Sequence, residues 1–284
     1  MDAAVMLGYG NEQVKVEIKG ARSVETILPR EMAEITDLKA AFLHAVEDGA
    51  IGSAPLREKV SPSDEVTIVV SDITRSWMHQ DKVMPLLVDY LHQKIGVPYD
   101  RIVILIALGT HRKSAPAEME KICSPDVCRK VRVVDHDCDA ADQVYVGTTS
   151  RGTRVRVNRL VVGRKVIVVG GTVHHMMAGF GGGRKNILPG VASRETIREN
   201  HCRALDPEKP MSDARVGCCK LTDNPIHEDM AEAAGLVPVA YSLNLVVASS
   251  GAHSGIFGGA LDAAWGASCD YQRECFEVPV GHQA

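Results

Sequence analysis

The residues best suited to chemistry lie in one stretch, 176–190 (MMAGFGGGRKNILPG). Gly179, Gly181, Gly182 and Gly183 fall within five positions and are followed at once by Arg184 and Lys185. Backbone amides with no Cβ in the way form a concave anion nest, and two adjacent cations favour a phosphate there. Neither familiar nucleotide motif is met. A Walker A loop requires Gly-Lys-Ser/Thr where Gly-Arg-Lys-Asn stands, and a dinucleotide fingerprint begun at Gly179 would need glycine in place of Arg184. The bland alternative is a flexible glycine hinge.

Two histidines flank the stretch, His175 ten residues before Lys185 and His201 sixteen after it. They lack the i, i+4 spacing of a helical zinc pair, and H-E-x-x-H is absent. On spacing alone His201 reads as an ordinary helix-surface histidine. Three polar clusters directly follow apolar runs. Asp72-Ile73-Thr74-Arg75 follows 65–71, Gly109-Thr110-His111-Arg112 follows 101–108, and Gly171-Thr172-Val173-His174-His175 follows 165–170. Ligands bind at the carboxyl ends of the strands in open parallel α/β sheets, so the three tips are expected to converge on one crevice. Taken singly, each reads equally well as a solvated, capped turn.

The elements that must carry these tips alternate short apolar β-branched runs with helical patterns, the sign of βαβ units and a largely parallel sheet. Strands are expected at 65–71 (EVTIVVS), 101–108 (RIVILIAL), 131–135, 154–162, 165–170 (KVIVVG) and 243–248. Helices are expected at about 81–95, 115–123, 193–205 with Ser193 as cap, and 259–276. The first sixty residues are less regular and β-rich. The fold class is therefore α/β, a Rossmann-like, largely parallel sheet flanked by helices.

Composition narrows the class further. The 32 Lys+Arg against 36 Asp+Glu give a net charge of −4, which argues against a general nucleic-acid binder or a polybasic membrane-surface protein. Apolar residues at 45% and charged residues at 24% are ordinary for a globular domain. No apolar run reaches the ~18–20 residues of a membrane span, and the opening MDAAVMLGYGNEQ lacks the pattern of a signal peptide. A cytoplasmic chain is expected, with no membrane and no nucleic-acid partner. None of the eight cysteines forms a C-x-x-C pair, so reduced thiols packed as small hydrophobes are expected rather than zinc ribbons or disulfides.

Val70-Ser71-Asp72-Ile73-Thr74-Arg75, Gly109-Thr110-His111-Arg112, the run from His175 to Lys185, Leu188-Pro189-Gly190-Val191, Asn200-His201 and Asn224-Pro225-Ile226-His227-Glu228-Asp229-Met230 together resemble the nickel-pincer lactate racemase family. The match runs in order over nearly all of the chain. The resemblance implies a nickel-pincer nucleotide, made from nicotinic acid mononucleotide and bound covalently to Lys185. It implies His201 as nickel ligand, with Gly181, Gly182 and Gly183 holding the nucleotide phosphate and Asp72 its ribose region. It implies Arg75 as the clamp on the substrate carboxylate, and His111 and His175 as the acid/base pair. The activity implied is racemisation or epimerisation of a small 2-hydroxy acid by hydride transfer, with cofactor-synthesis enzymes as partners.

Ser76 and Lys113 stand where the family usually carries proline, and Trp77 and Met78 add bulk beside Arg75, which argues against lactate itself as the substrate. The expected organisation is an N-terminal α/β cofactor-binding domain, 1–275, and the start of a linker, 276–284, to a second lobe outside this chain. The alternative to an enzyme is a cofactor-binding lobe that is inactive alone or needs a partner chain or subunit. An ordinary NAD-dependent oxidoreductase is disfavoured by the broken fingerprint.

Overall fold

The computed structural model describes residues 2–10, 12–30 and 32–279. The chain opens with an antiparallel hairpin, β1 (Ala3–Tyr9) and β2 (Glu12–Ile18), followed by helices α1 (Leu38–Val46) and α2 (Leu56–Lys59). The first three central strands then alternate with helices: β3 (Val66–Ser71), α3 (Gln80–Asp89), β4 (Ile102–Ala107), α4 (Pro116–Cys123), α5 (Pro125–Lys130) and β5 (Arg132–Asp135). A separate antiparallel ribbon, β6 (Val144–Thr148) and β7 (Arg154–Val157), interrupts the alternation before β8 (Lys165–Gly171). Short strands β9 (His174–His175) and β10 (Ala178–Phe180) follow, then α6 (Arg194–His201), β11 (Gly217–Cys218) and α7 (Pro225–Gly235). The described elements end with β12 (Val239–Val247), β13 (His253–Gly259) and α8 (Leu261–Phe276). Of the expected linker 276–284, residues 280–284 lie outside the described residues.

The central sheet has the order β13-β12-β8-β3-β4-β5, parallel throughout except for the antiparallel edge strand β13. Both faces are covered, which is why its strands read as continuous apolar runs. Val66, Ile68 and Val70 of β3 point to one core with Val83, Leu87 and Leu91, whereas Val69 points to the other with Val166, Val168 and Met230. From β3 the chain steps outward to β4 and β5, then returns to β8 on the other side of β3. That reversal makes the carboxyl ends of β3 and β8 a topological switch point, the usual place for a ligand crevice.

Several expectations are corrected. The strand expected over 154–162 ends at Val157, because Asn158 accepts a hydrogen bond from the Leu160 amide and turns the chain into a short 3₁₀ segment. It pairs with β6 outside the central sheet. The helix expected to 95 changes to a π turn over Tyr90–Ile95, and that expected over 193–205 ends at His201 before a 3₁₀ turn, although Ser193 caps it as anticipated. The strand β13 (HSGIFGG) escaped notice because its glycines leave no apolar run. All eight cysteines are free, as expected, but Cys202 and Cys218 are exposed rather than buried.

Candidate active site

The three strand tips do converge. They border a cleft of about 470 Å³ whose lining includes Asp72 and Arg75 after β3, Gly109 and His111 after β4, Gly171 and His175 from β8 and β9, and Gly181, Gly182, Lys185 and His201. The register pairing Ser71 with Ala107 sets the tips of β3 and β4 side by side. Asp72, only 4% exposed, accepts a hydrogen bond from His111 Nδ1 at 2.5 Å and another from the Thr74 hydroxyl at 2.6 Å. A carboxylate on Nδ1–H fixes the tautomer and leaves His111 Nε2 bare, able to accept a proton. Both Asp72 oxygens are thus engaged by its own chain, beyond the ribose contact that the resemblance implies.

On the opposite wall the chain turns sharply. Gly182 has φ +74°, and a Cβ there would lie 3.1 Å from the Gly171 carbonyl oxygen and the Thr172 hydroxyl. Gly183 has φ +49°, and its Cβ would lie 2.7 Å from the Trp265 ring. Only glycine fits either position. The turn is pinned from two sides. Gly183 N donates to Asn244 Oδ1, and the Asn186 side chain donates to the Val169 carbonyl and accepts from the Ser71 hydroxyl. The expected anion nest is therefore reduced. Gly181 N is bonded to the Val173 carbonyl and Gly183 N to Asn244, and Gly183 packs on Trp265 rather than lining the cleft.

The two cations of this turn diverge. Arg184 faces inward, 1% exposed, with its guanidinium 3.7 Å from the centre of the Trp265 ring and hydrogen bonds to His227 Nδ1 and the Ala178 carbonyl. It does not reach a phosphate in the cleft, which corrects the reading of two cations beside an anion. Lys185 faces the cleft, its Nζ 2.8 Å from His175 Nε2. His175 Nδ1 accepts from the Met177 and Ala178 amides. Since a backbone N–H only donates, Nδ1 carries no proton, and the neutral ring holds its proton on Nε2. That proton points at Lys185 Nζ, which accepts it only as an uncharged amine.

The surroundings agree. Burial, then Arg184 and Arg75, push the Lys185 amine down to about 7. Burial, then Lys185, Arg75, His201 and Arg184, push His175 down to about 4. Among the described residues no acidic side chain pairs with Lys185 or Arg75, and Arg75 donates only to Thr74. His201, at the end of α6, has its Nδ1 buried without a hydrogen-bond partner. Burial and then Lys185 lower its pKa, and the Ile197 backbone opposes them without reaching hydrogen-bond geometry.

Residues outside the expected site hold it in place. Asn200, beside His201, donates to Asp229, which is fully buried and also accepts from Thr149 and Thr153. Asn224 caps α7 by accepting from the Ile226 and His227 amides, and its amide group donates to Met177 in the glycine-rich stretch. The segment 224–230 is therefore scaffold. The pairing of Asp72 with His111 went unread too, although the adjacency of β3 and β4 would have exposed it. Of the departures from the family pattern, only Trp77 enters the cleft lining while enlarging a side chain beside Arg75. Met78 is buried in the core, and Lys113 is exposed near Asp137.

Fold and cleft define a doubly wound α/β domain whose switch-point crevice carries Arg75, Lys185 and several imidazoles and, among the described residues, has Asp72 as its one acidic lining residue, an architecture for a small polar molecule. Residues 9–212 match the family described as the lactate racemase N-terminal domain. The chain is similar to lactate racemase of Thermoanaerobacterium thermosaccharolyticum, 33% identical over 233 residues, which are 81% of this chain and 53% of that protein. It is also similar to lactate racemase of Lactiplantibacillus plantarum, 32% identical over 236 residues, 82% of this chain and 54% of that protein. The solved structure of the lactate racemase apoprotein from T. thermosaccharolyticum superimposes with a TM-score of 0.82 at 28% identity, covering 96% of this chain and 63% of that one. A crystal structure of a protein from Thermotoga maritima, 22% identical with a TM-score of 0.63 over 78% of this chain and 57% of that one, shares the fold. The chain belongs to the lactate racemase family, and it spans about half the length of the curated relatives it matches. Among the described residues no helix is long and apolar enough to cross a membrane.

Proposed function

We propose that this domain is the cofactor-holding part of a racemase or epimerase of small 2-hydroxy acids, working with a nickel-pincer nucleotide tethered to Lys185. The observation that carries the reading is the Lys185 amine, placed 2.8 Å from the His175 Nε2–H with no acidic partner among the described residues and with its pKa lowered to about 7, so that a large fraction is uncharged near neutral pH. An uncharged amine is the nucleophilic form, the one a covalent tether requires. His201, whose buried imidazole borders the same cleft, is a good match to nickel. When bound, the nucleotide supplies the hydride acceptor that lets a 2-hydroxy acid lose and regain its Cα hydrogen.

The chain's own residues supply the rest. Arg75, without a carboxylate partner among the described residues, clamps the substrate carboxylate through its fixed fork of donors. His111 Nε2 takes the hydroxyl proton from one enantiomer. The other enantiomer presents its hydroxyl to the opposite wall, so a second group is needed there, and His175 stands at that position. To act as a base its ring must first move the proton from Nε2 to Nδ1, away from the Met177 and Ala178 amides, and a Lys185 holding the nucleotide would no longer accept that proton. Trp77 narrows the cleft beside Arg75 and favours a side chain other than the lactate methyl.

A second reading is favoured by the match to only half of the relatives' length: the domain binds the nucleotide but turns over only with a further lobe or subunit. Cofactor-synthesis enzymes and that further lobe are the partners proposed. The test is intact-mass and nickel analysis of protein made alongside the cofactor-synthesis enzymes. Wild type should carry the mass increment, Lys185→Ala should lack it, and His201→Ala should keep it while losing nickel. An unchanged adduct on Lys185→Ala overturns the assignment. Turnover of the loaded chain alone at ~1–10³ s⁻¹ would make the further lobe dispensable.

A further inference from the structure

At strand β9, three side chains from distant parts of the chain meet, and one of them, His174, also borders the cleft. His174 is the neighbour of His175 in β9, and successive side chains of a strand point to opposite faces. Cys219 follows β11, and Glu277 is the residue at the carboxyl end of α8. One ligand atom from each, an imidazole nitrogen, a thiol sulfur and a carboxylate oxygen, lie within 4.8 Å of one another. His174 Nε2 is 3.5 Å from a Glu277 oxygen, yet it is buried with no hydrogen-bond partner. Such an orphaned buried nitrogen is uncommon and asks for a ligand or proton acceptor.

Cys219 has φ +61°, the left-handed region that a residue with a Cβ enters at a cost. The Arg273 guanidinium donates to the Cys219 carbonyl and lies over the Phe180 ring, 4.9 Å from its centre, so both flanks of the cluster are braced. Burial and the Glu277 carboxylate push the Cys219 thiol up to about 12, and its sulfur lies 3.9 Å from that of Cys218.

We propose that His174, Cys219 and Glu277 form a site for a thiophilic divalent cation, zinc by its ligand chemistry, that ties the end of α8 to strand β9. Zinc takes sulfur at about 2.3 Å and nitrogen or oxygen at about 2.0–2.2 Å, which puts tetrahedral ligand atoms roughly 3.3–3.8 Å apart. The observed His174–Glu277 separation already meets this, and the 4.8 Å limit on the others needs only small side-chain movements. A neutral imidazole, a thiolate and a carboxylate carry two negative charges, matching one divalent ion. Binding breaks the S–H bond of Cys219 and releases that proton to solvent. Cys218, exposed and with its sulfur 3.9 Å from that of Cys219, is a candidate for the fourth ligand.

Cobalt(II) added to the metal-free full chain tests this, because a cobalt–thiolate bond absorbs in the near ultraviolet and a tetrahedral site absorbs in the visible. One equivalent should give both bands, and zinc should abolish them by displacement. Cys219→Ser should remove the thiolate band, and His174→Gln and Glu277→Gln should each weaken cobalt binding at least about tenfold. Zinc should raise the Tm of wild type and not of Cys219→Ser. Lys185→Ala should leave the cobalt spectrum unchanged, which separates this site from the cleft whatever the fate of the proposed function. No thiolate band on wild type, a band that survives Cys219→Ser, or one lost in Lys185→Ala would each overturn the site.

Discussion

His111 and His175 look into the same cleft from surroundings of opposite character. His111 is oriented by a nearly buried carboxylate, Asp72, which fixes the ring proton on Nδ1 and leaves Nε2 as an acceptor. His175 is oriented by two main-chain amides, which fix the ring proton on Nε2 and leave it a donor. The difference follows from what each wall must tolerate. A carboxylate on the Lys185 wall would restore that lysine's charge and end its nucleophilicity, so neutral amides do the orienting there. A carboxylate on the far wall does no such harm, and it would stabilise an imidazolium if His111 accepted a proton there, as proposed. Two histidines with opposite resting tautomers are thereby set on one cleft.

The sharpest way to break this comparison is to remove its charged half. On cofactor-loaded protein, with a second lobe supplied if turnover requires it, His111→Ala should lower kcat by about 10²–10⁴-fold. Asp72→Asn keeps the shape but lets the amide donate to Nδ1 and trap the wrong tautomer, and it should cost about 10–100-fold, as loss of an orienting partner does. Steady-state rates from both enantiomers check the pair. Full activity in His111→Ala would remove that residue from the chemistry, and an Asp72→Asn protein as slow as His111→Ala would show that Asp72 does more than orient.

The uncharged half is tested through stability. The folded pKa of Lys185, about 7, lies below its ordinary 10.5. Between those values the unfolded chain holds a proton that the folded chain does not. Stability therefore rises with pH across that window, and the penalty is fully present below about pH 7. Lys185→Met fills the same space without a charge. It should stabilise the protein by about 1–3 kcal/mol at pH 6, less than the whole shift because relaxation and solvent ease the buried charge. The difference between variant and wild-type denaturation curves should shrink towards zero by about pH 10.5. A variant no more stable than wild type at pH 6 would mean that the fold does not lower the lysine pKa.

The sheet was legible because strands buried on both faces advertise themselves as apolar runs, as in 65–71 and 101–108. The three polar tips were legible because a parallel sheet gathers its carboxyl ends. What stayed hidden depends on partners remote in sequence. Nothing local to Arg184 tells that Trp265 takes its guanidinium inward, and nothing local to His175 tells that the Met177 and Ala178 amides set its tautomer. The glycines announced a tight turn, but Asn244 and Val173 had already engaged two of its amides. The edge strand β13 was invisible because its neighbour, and not its own composition, makes it a strand.

The smallest effect expected is also the most specific. Two like charges hold the Lys185 amine down, first Arg184 and then Arg75. Replacing Arg184 would empty a stacked, buried site against Trp265 and confuse charge with packing. Arg75 lies in the cleft and, among the described residues, donates only to Thr74, so Arg75→Met removes the charge with little repacking. Losing a neighbouring cation favours the protonated amine, and the Lys185 pKa should rise by roughly half to one pH unit once solvent and salt screen the pair. The uncharged fraction at pH 7 then falls about twofold to fivefold, by the same logarithmic relation. Carbamylation of Lys185 by cyanate, followed by peptide mass spectrometry across pH 6–9, reads that fraction directly. A profile shifted upward in Arg75→Met supports a lysine tuned by the cations around it. An unshifted profile would leave burial and Arg184 as the forces that lower the amine's pKa.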